Sequence, residues 1–323
     1  IHKYCLLMPD HATQKGTVIR SVGSSSRVQT AEGVQHDCIV RGKFRIKGLK
    51  TTNPVAVGDE VMFTPPKEEG EVGVITELLP RKNYILRKAI GHNHKVHIMA
   101  ANVDQAILLF TIDFPRTSTG FANRFILINE AYHIPTRIVI NKIDLLQTAE
   151  EKAKLKEITD IYERIGYEVI QLNALDPRYQ LQASEILTDK ISFIGGHSGA
   201  GKSTFVNLVD PTLNLKTGDI SGYHNKGRHT TTYAEMHPLA NGGFIIDSPG
   251  IKEFGLANFE VRELSHYFPE MRSRMADCKF SDCQHINEPG CAVKAALESG
   301  EIHPSRYDSY LRMREELESE KMY

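Results

Sequence analysis

Residues 196–203 read Gly196, His197, Ser198, Gly199, Ala200, Gly201, Lys202, Ser203, which is the G-x-x-x-x-G-K-[ST] order of a phosphate-cradling loop. In such a loop the glycines let successive backbone N–H groups turn inward on phosphate oxygens. Lys202 then reaches the β/γ-oxygens, and Ser203, followed by Thr204, offers its hydroxyl to Mg²⁺. Recognition of guanine needs a carboxylate for the base's N1–H and exocyclic amine, with a side-chain amide beside it. Asn141-Lys142-Ile143-Asp144 carries both groups, and Asn173-Ala174 offers a base-contacting turn. Asp247-Ser248-Pro249-Gly250 has the D-x-x-G form, an Asp for the metal's water shell and a Gly whose N–H can meet the γ-phosphate. One threonine of Thr230-Thr231-Thr232 would complete the magnesium shell, with Thr231 preferred over Thr230. The implied ligand is GTP with Mg²⁺.

The elements that must carry these groups are legible as apolar runs. Lys190–Ile194 reads as a buried strand feeding the phosphate loop, and Thr204–Val209 as the first turns of a helix after it. Arg137–Ile140 is a β-branched run that delivers Asn141 at a strand's carboxyl end, where α/β sheets bind ligands. Tyr167–Leu172 leads likewise into Asn173, and Gly243–Ile246 into Asp247. In ordinary small GTPases the phosphate loop comes first, whereas here the base-reading motifs precede it. The order is circularly permuted, as is feasible when a domain's termini lie close together.

A second cluster lies further on. Cys278, Cys283, His285 and Cys291 form C-x₄-C-x-H-x₅-C, a closed Cys₃His set of the kind structural zinc prefers. Ala292–Leu297 and Ser305–Tyr323 read as helices packed near that loop. At the other end, short alternating runs at 16–22, 35–41, 58–64 and 73–79, broken by Gly and Pro, predict a small antiparallel barrel of OB type. Arg41, Lys43, Arg45, Lys47, Lys50, Arg81, Lys82, Arg87 and Lys88, interleaved with Phe44 and Tyr84, would suit an RNA-binding face.

Composition bounds this reading. The 323 residues are 41% hydrophobic and 24% charged, enough for two or three domains with real cores. The net charge of −1 restricts any nucleic-acid contact to local patches. No run approaches the ~20 apolar residues of a membrane span, and the start at Ile1 has no secretory pattern, so a cytoplasmic, membrane-free protein is expected. The expected organisation is multidomain: an OB-like barrel over 1–90, a permuted α/β P-loop GTPase domain over 91–257, and a mainly helical zinc-binding module over 258–323.

Taken together, the permuted order, Ala101–Gln105, Gly218–Ser221, the Gly227-Arg228-His229-Thr230-Thr231-Thr232 run, Asp247–Gly250 and the C-x₄-C-x-H-x₅-C module resemble the RsgA (YjeQ/YloQ) family of circularly permuted GTPases. The resemblance covers nearly the whole chain. It implies GTP hydrolysis stimulated by the small ribosomal subunit, contact with its rRNA, release of an assembly factor late in maturation, and a cytoplasmic monomer with one structural Zn²⁺. It also bears on catalysis. Many GTPases place a water-orienting Gln directly after D-x-x-G, where this chain has Ile251, so slow intrinsic turnover is expected. The resemblance makes His229 the candidate for that task, beside Lys202 and Thr231. Two other readings differ in kind: a GTPase switch for a non-ribosomal partner, and a non-hydrolysing scaffold.

Overall fold

The computed structural model describes residues 13–40, 51, 53–66, 68, 70–88, 96–215, 235–247, 256 and 259–320. The first five strands are β1 (Gln14–Val22), β2 (Ser25–Gln29), β3 (Gln35–Val40), β4 (Glu60–Thr64) and β5 (Gly73–Leu78). They run in the order β1-β2-β3-β5-β4, and pairing of β4 back to β1 closes the barrel. Only the β3–β5 pair is parallel. Alternation drives closure: Val18, Val28, Cys38, Val61, Phe63 and Ile75 point inward and fill the interior. The strand β2, Ser-Ser-Arg-Val-Gln, has one apolar residue and carries almost no signal in the sequence, yet its neighbours on both sides pair it.

One basic residue expected on the barrel's surface is internal. The Arg81 guanidinium meets the fully buried Asp59 carboxylate at 2.5 and 2.6 Å and also reaches the Pro54 carbonyl at 3.1 Å. Lys82 is paired with Asp104. Arg41, Lys43, Phe44, Arg45, Lys47 and Lys50 lie outside the described residues.

A hairpin of β6 (Tyr84–Lys88) and β7 (Val96–Ala101) follows the barrel. Asparagines acting as backbone mimics join it to its neighbours on both sides. Asn83 exchanges two 2.8 Å hydrogen bonds with the Val103 backbone, and Asn102 Nδ2 donates to the Gly58 carbonyl at 2.9 Å.

The central domain contains β8 (Gln105–Phe110), α1 (Thr119–Ala131), β9 (Thr136–Ile140), α2 (Ala149–Ile165), β10 (Glu168–Gln171), α3 (Gln180–Leu187), β11 (Ile191–Gly196), α4 (Lys202–Val209), β12 (Glu235–Pro238) and β13 (Phe244–Asp247). Their spatial order is β10-β9-β8-β11-β13-β12, parallel except for the antiparallel β12–β13 pair. Every residue of β8 is buried, as a strand covered on both faces requires. The long helix α2 starts on a capping box between Thr148 and Glu151 and stops at Gly166, whose φ of 103° is the left-handed conformation of a C-cap. The phosphate-loop strand β11 lies between β8 and β13, so strands from both sides of the permutation flank it.

The C-terminal module holds α5 (Pro269–Arg272), α6 (Ala292–Glu298) and α7 (Pro304–Glu320), with short 3₁₀ segments such as Val261–Tyr267 between them. It packs on α1. Arg124 pairs with Glu316, Asn123 Nδ2 donates to Ser309 Oγ at 2.7 Å, and the module's Phe268, Met271 and Tyr310 belong to the same apolar core as Phe125 and Ile126.

Candidate functional site

The phosphate loop leaves β11 and enters α4 with its lysine centred. Lys202, 5% exposed, donates through Nζ to the Gly196 and His197 carbonyls at 2.9 and 3.0 Å. Ser203 is buried beside it in the first helical turn. Gly201 has a φ of +97°, and a Cβ there would stand 2.3 Å from Asn141 Nδ2. Only glycine allows that approach.

Asn141 Nδ2 donates to the Ala200 carbonyl at 2.9 Å, while its Oδ1 accepts from the backbone N–H groups of Lys142 at 2.8 Å and Ala174 at 2.9 Å. One amide therefore braces the phosphate loop against the turn at Asn173-Ala174, although these segments are far apart in the chain. Lys142, at a φ of 65°, extends over the loop and donates to the Gly199 carbonyl at 2.7 Å and the Phe114 carbonyl at 2.6 Å. Asn173 Oδ1 accepts from Leu175 N at 3.0 Å, which shapes the turn. Between these walls is a cavity of about 250 Å³, with Asp144, Asn173 and Ala174 on one side and Lys202, Ser203 and Thr204 on the other. Asp144 is exposed, its carboxylate available to a ligand. Larger clefts of about 350 and 590 Å³ lie between α2 and the C-terminal module. Their charges are occupied with one another, as in Lys156–Asp160 and Arg274–Glu301.

The structure thus brings together Asn141, Lys142, Asp144, Asn173, Ala174 and the loop from Gly196 to Thr204. The backbone of Asp247 ends β13 opposite Ile194 of β11, two residues before the phosphate loop opens. His229, Thr230, Thr231, Thr232, Gly250 and Ile251 lie outside the described residues. Sequence reasoning missed one contact in this region. The His197 ring stacks on Phe121 of α1, with centroids 4.1 Å apart and an angle of 27° between planes. Nothing in the spacing of the two residues signals it.

At the second cluster the ligand atoms of Cys278, Cys283, His285 and Cys291 all lie within 4.8 Å of one another. His285 Nδ1 is 3.4 Å from Cys291 Sγ and 3.7 Å from Cys278 Sγ. Tetrahedral zinc, with Zn–S about 2.3 Å and Zn–N about 2.1 Å, separates sulfur from nitrogen by about 3.6 Å, so the donor set fits. Burial pushes the Cys283 thiol up to about 12, and the neighbouring Cys291 and Cys278 add to the shift. Burial also holds the His285 imidazole below its ordinary value, in the neutral form a metal needs. Two buried sulfurs and a partly exposed third, Cys278, at this spacing are compatible with a dication. Cys291 also caps α6, its sulfur accepting from Lys294 N at 3.4 Å.

The fold and the loop geometry define a P-loop GTPase whose nucleotide domain is circularly permuted, set between a five-stranded barrel and a Cys₃His module. Comparison with known proteins agrees. The RsgA GTPase family pattern matches residues 78–257, and the RsgA N-terminal domain pattern matches residues 15–75. The chain is 45% identical over 304 residues to the small ribosomal subunit biogenesis GTPase RsgA of Christiangramia forsetii, covering 93% of this chain and 96% of that one. The protein of the same name from Bacteroides fragilis is 44% identical over 307 residues, covering 95% and 98%. Among solved structures, YjeQ from Thermotoga maritima superposes with a TM-score of 0.76 at 36% identity, covering 95% of this chain and 99% of that one. YloQ, described as a circularly permuted GTPase, gives 0.73 at 27% identity, covering 97% and 98%. This chain belongs to the RsgA GTPase family. Among the described residues no helix is long and apolar enough to cross a membrane.

Proposed function

We propose that this GTPase acts in late biogenesis of the small ribosomal subunit, where GTP-dependent switching lets it dock on rRNA and release an assembly factor. The observation that supports this reading is the extent of the likeness: relatives named small ribosomal subunit biogenesis GTPase align over 93% and 95% of the chain, through the barrel, the nucleotide domain and the Cys₃His module alike. The modules are taken as residues 1–90, 91–257 and 258–323, acting as a cytoplasmic monomer.

In this reading Asp144 accepts from the guanine N1–H and amine, while Asn141 holds the base turn and phosphate loop in register. The backbone from Gly196 to Thr204 and the Lys202 ammonium bind the phosphates. Ser203 and Thr231 would hold Mg²⁺, with Asp247 toward its waters, and Gly250 would meet the γ-phosphate. Water attacks the γ-phosphorus, the bond to the β–γ bridging oxygen breaks, the water's proton passes to the phosphoryl oxygens, and GDP and inorganic phosphate are the products. Lys202 offsets the developing charge, and a magnesium ion held at this site would supply further positive charge. His229 orients the water. Cys278, Cys283, His285 and Cys291 hold Zn²⁺, which would supply a rigid crosslink and no open coordination position.

The test is GTP hydrolysis by the purified protein alone, with small subunits, and with large subunits. Stimulation by small subunits alone is expected. Equal rates in all three would favour a switch for a non-ribosomal partner. His229→Ala should abolish the stimulation and leave GTP affinity unchanged; stimulation at the parental level would remove His229 from the mechanism.

A further inference from the structure

A metal-bound imidazole is ordinarily oriented through its second nitrogen, which donates to a carboxylate or carbonyl. His285 departs from that arrangement: its Nε2 is buried and has no hydrogen-bond partner among the described residues. Its orientation is therefore set by packing, with the Tyr310 ring centroid 6.5 Å away, and by the backbone. At a φ of 58° His285 occupies the left-handed region that L-residues adopt at a cost, and this conformation turns Nδ1 toward the Cys278 and Cys291 sulfurs.

We propose that Glu288 is a positioning residue for the metal centre, gripping the backbone on both sides of His285 and so presetting that ligand for a divalent ion. Its Oε1 accepts from Gln284 N at 2.8 Å, and its Oε2 accepts from Ile286 N at 2.8 Å and Asn287 N at 3.0 Å. Residues before and after the ligand are thus tied to one carboxylate. Glu288 is not among the donors that converge on the metal position. Its oxygens are occupied by N–H groups, which hold the carboxyl down at about 2 against the opposing effect of burial. From the other side, Tyr307 Oη donates to the His285 carbonyl at 2.6 Å and Tyr310 Oη to the Gln284 carbonyl at 2.7 Å. The carboxylate adds a negative charge next to a site built for a dication, so both its geometry and its charge favour metal.

This inference rests on the zinc reading above, and the experiment separates the two. The full chain, Glu288→Ala and Glu288→Gln are titrated with Zn²⁺ against a chelating dye, with circular dichroism and GTP binding as checks on the fold. Glu288→Ala is expected to weaken Zn²⁺ binding about 10–100-fold. Glu288→Gln, nearly the same shape but with one acceptor oxygen and no charge, should fall between it and the parent. The visible bands of the Co²⁺-loaded variants should shift as the imidazole loses its fixed orientation, a change that a purely structural role would not produce. Parental affinity and unchanged Co²⁺ bands in either folded variant overturn the proposal, as does failure of both variants to fold. A parent chain that binds no Zn²⁺ overturns the zinc reading itself.

Discussion

Arg306 Nη1 donates to Asn123 Oδ1 at 2.8 Å, joining two buried side chains 183 positions apart. Asn123 Oδ1 also accepts from Tyr162 Oη at 3.0 Å, so one amide on α1 ties α2 of the nucleotide domain to α7 of the C-terminal module. The guanidinium is further held by Glu270 at 2.6 and 3.1 Å and lies 4.7 Å from the Phe268 ring centroid. Beyond Asn123, the same helix reaches the phosphate loop through the Phe121–His197 stack. The Cys₃His module is therefore fastened to the helix that touches the loop.

Removing the cation from this joint should be costly. Arg306→Ala leaves Glu270, whose side chain is 9% exposed, without its partner, and a loss of about 3–5 kcal/mol in urea unfolding is expected. The double variant Arg306→Met/Glu270→Met should lose much less, because apolar replacement of a buried pair is often close to neutral. A double variant as unstable as the single one would contradict this account.

At the proposed guanine site, Asn141→Ala deletes the brace and strands the Ala174 N–H, with an expected drop of about 10–100-fold in GDP and GTP affinity by calorimetric titration. Asp144→Asn replaces an acceptor with a group that can also donate, so preference should move from guanine toward xanthine, which has a carbonyl where guanine has its amine. Competition between GTP and XTP measures the change, and unaltered guanine preference would remove Asp144 from the base site.

Zinc loading should release protons. A Cys283 thiol pushed up to about 12 is protonated at neutral pH without metal, and it must ionise to bind. Metal affinity should therefore rise with pH across the neutral range by at least one power of ten per unit. Titration in buffers of different ionisation enthalpy counts the protons directly. Removing the metal with a chelator should lower the thermal midpoint, since ion binding and folding of the ligand loop are coupled.

In the barrel, Arg81→Ala should act on stability before it acts on any RNA. It leaves the fully buried Asp59 unpaired, and about 3–5 kcal/mol of destabilisation is expected from denaturant melts. A variant as stable as the parent would return Arg81 to the list of surface residues.

The nucleotide site was legible because its chemistry sits in short contiguous runs. Gly196–Ser203 and Asn141–Asp144 must keep their internal spacing for the backbone to reach phosphate and base, so the spacing survives in the sequence whatever order the chain takes. The same holds for Cys278, Cys283, His285 and Cys291, which a single loop brings around one point. Strand β2 was hidden because its stability comes from partners on both sides and hardly at all from its own residues. Arg81 was misread because a charge in a sequence carries no record of the carboxylate that folding puts opposite it.

What the residues alone determined is the permuted succession of motifs and the three-module plan, both properties of local pattern. The tertiary structure decided that Asn141 bridges Ala200 and Ala174, that Arg306 closes on Asn123, and that Glu288 rather than a partner of Nε2 sets His285. The first two are contacts between distant segments, and the third depends on a backbone turned to positive φ. Periodicity records which face of an element is covered and cannot record what covers it, so such relationships exist only once the chain has folded.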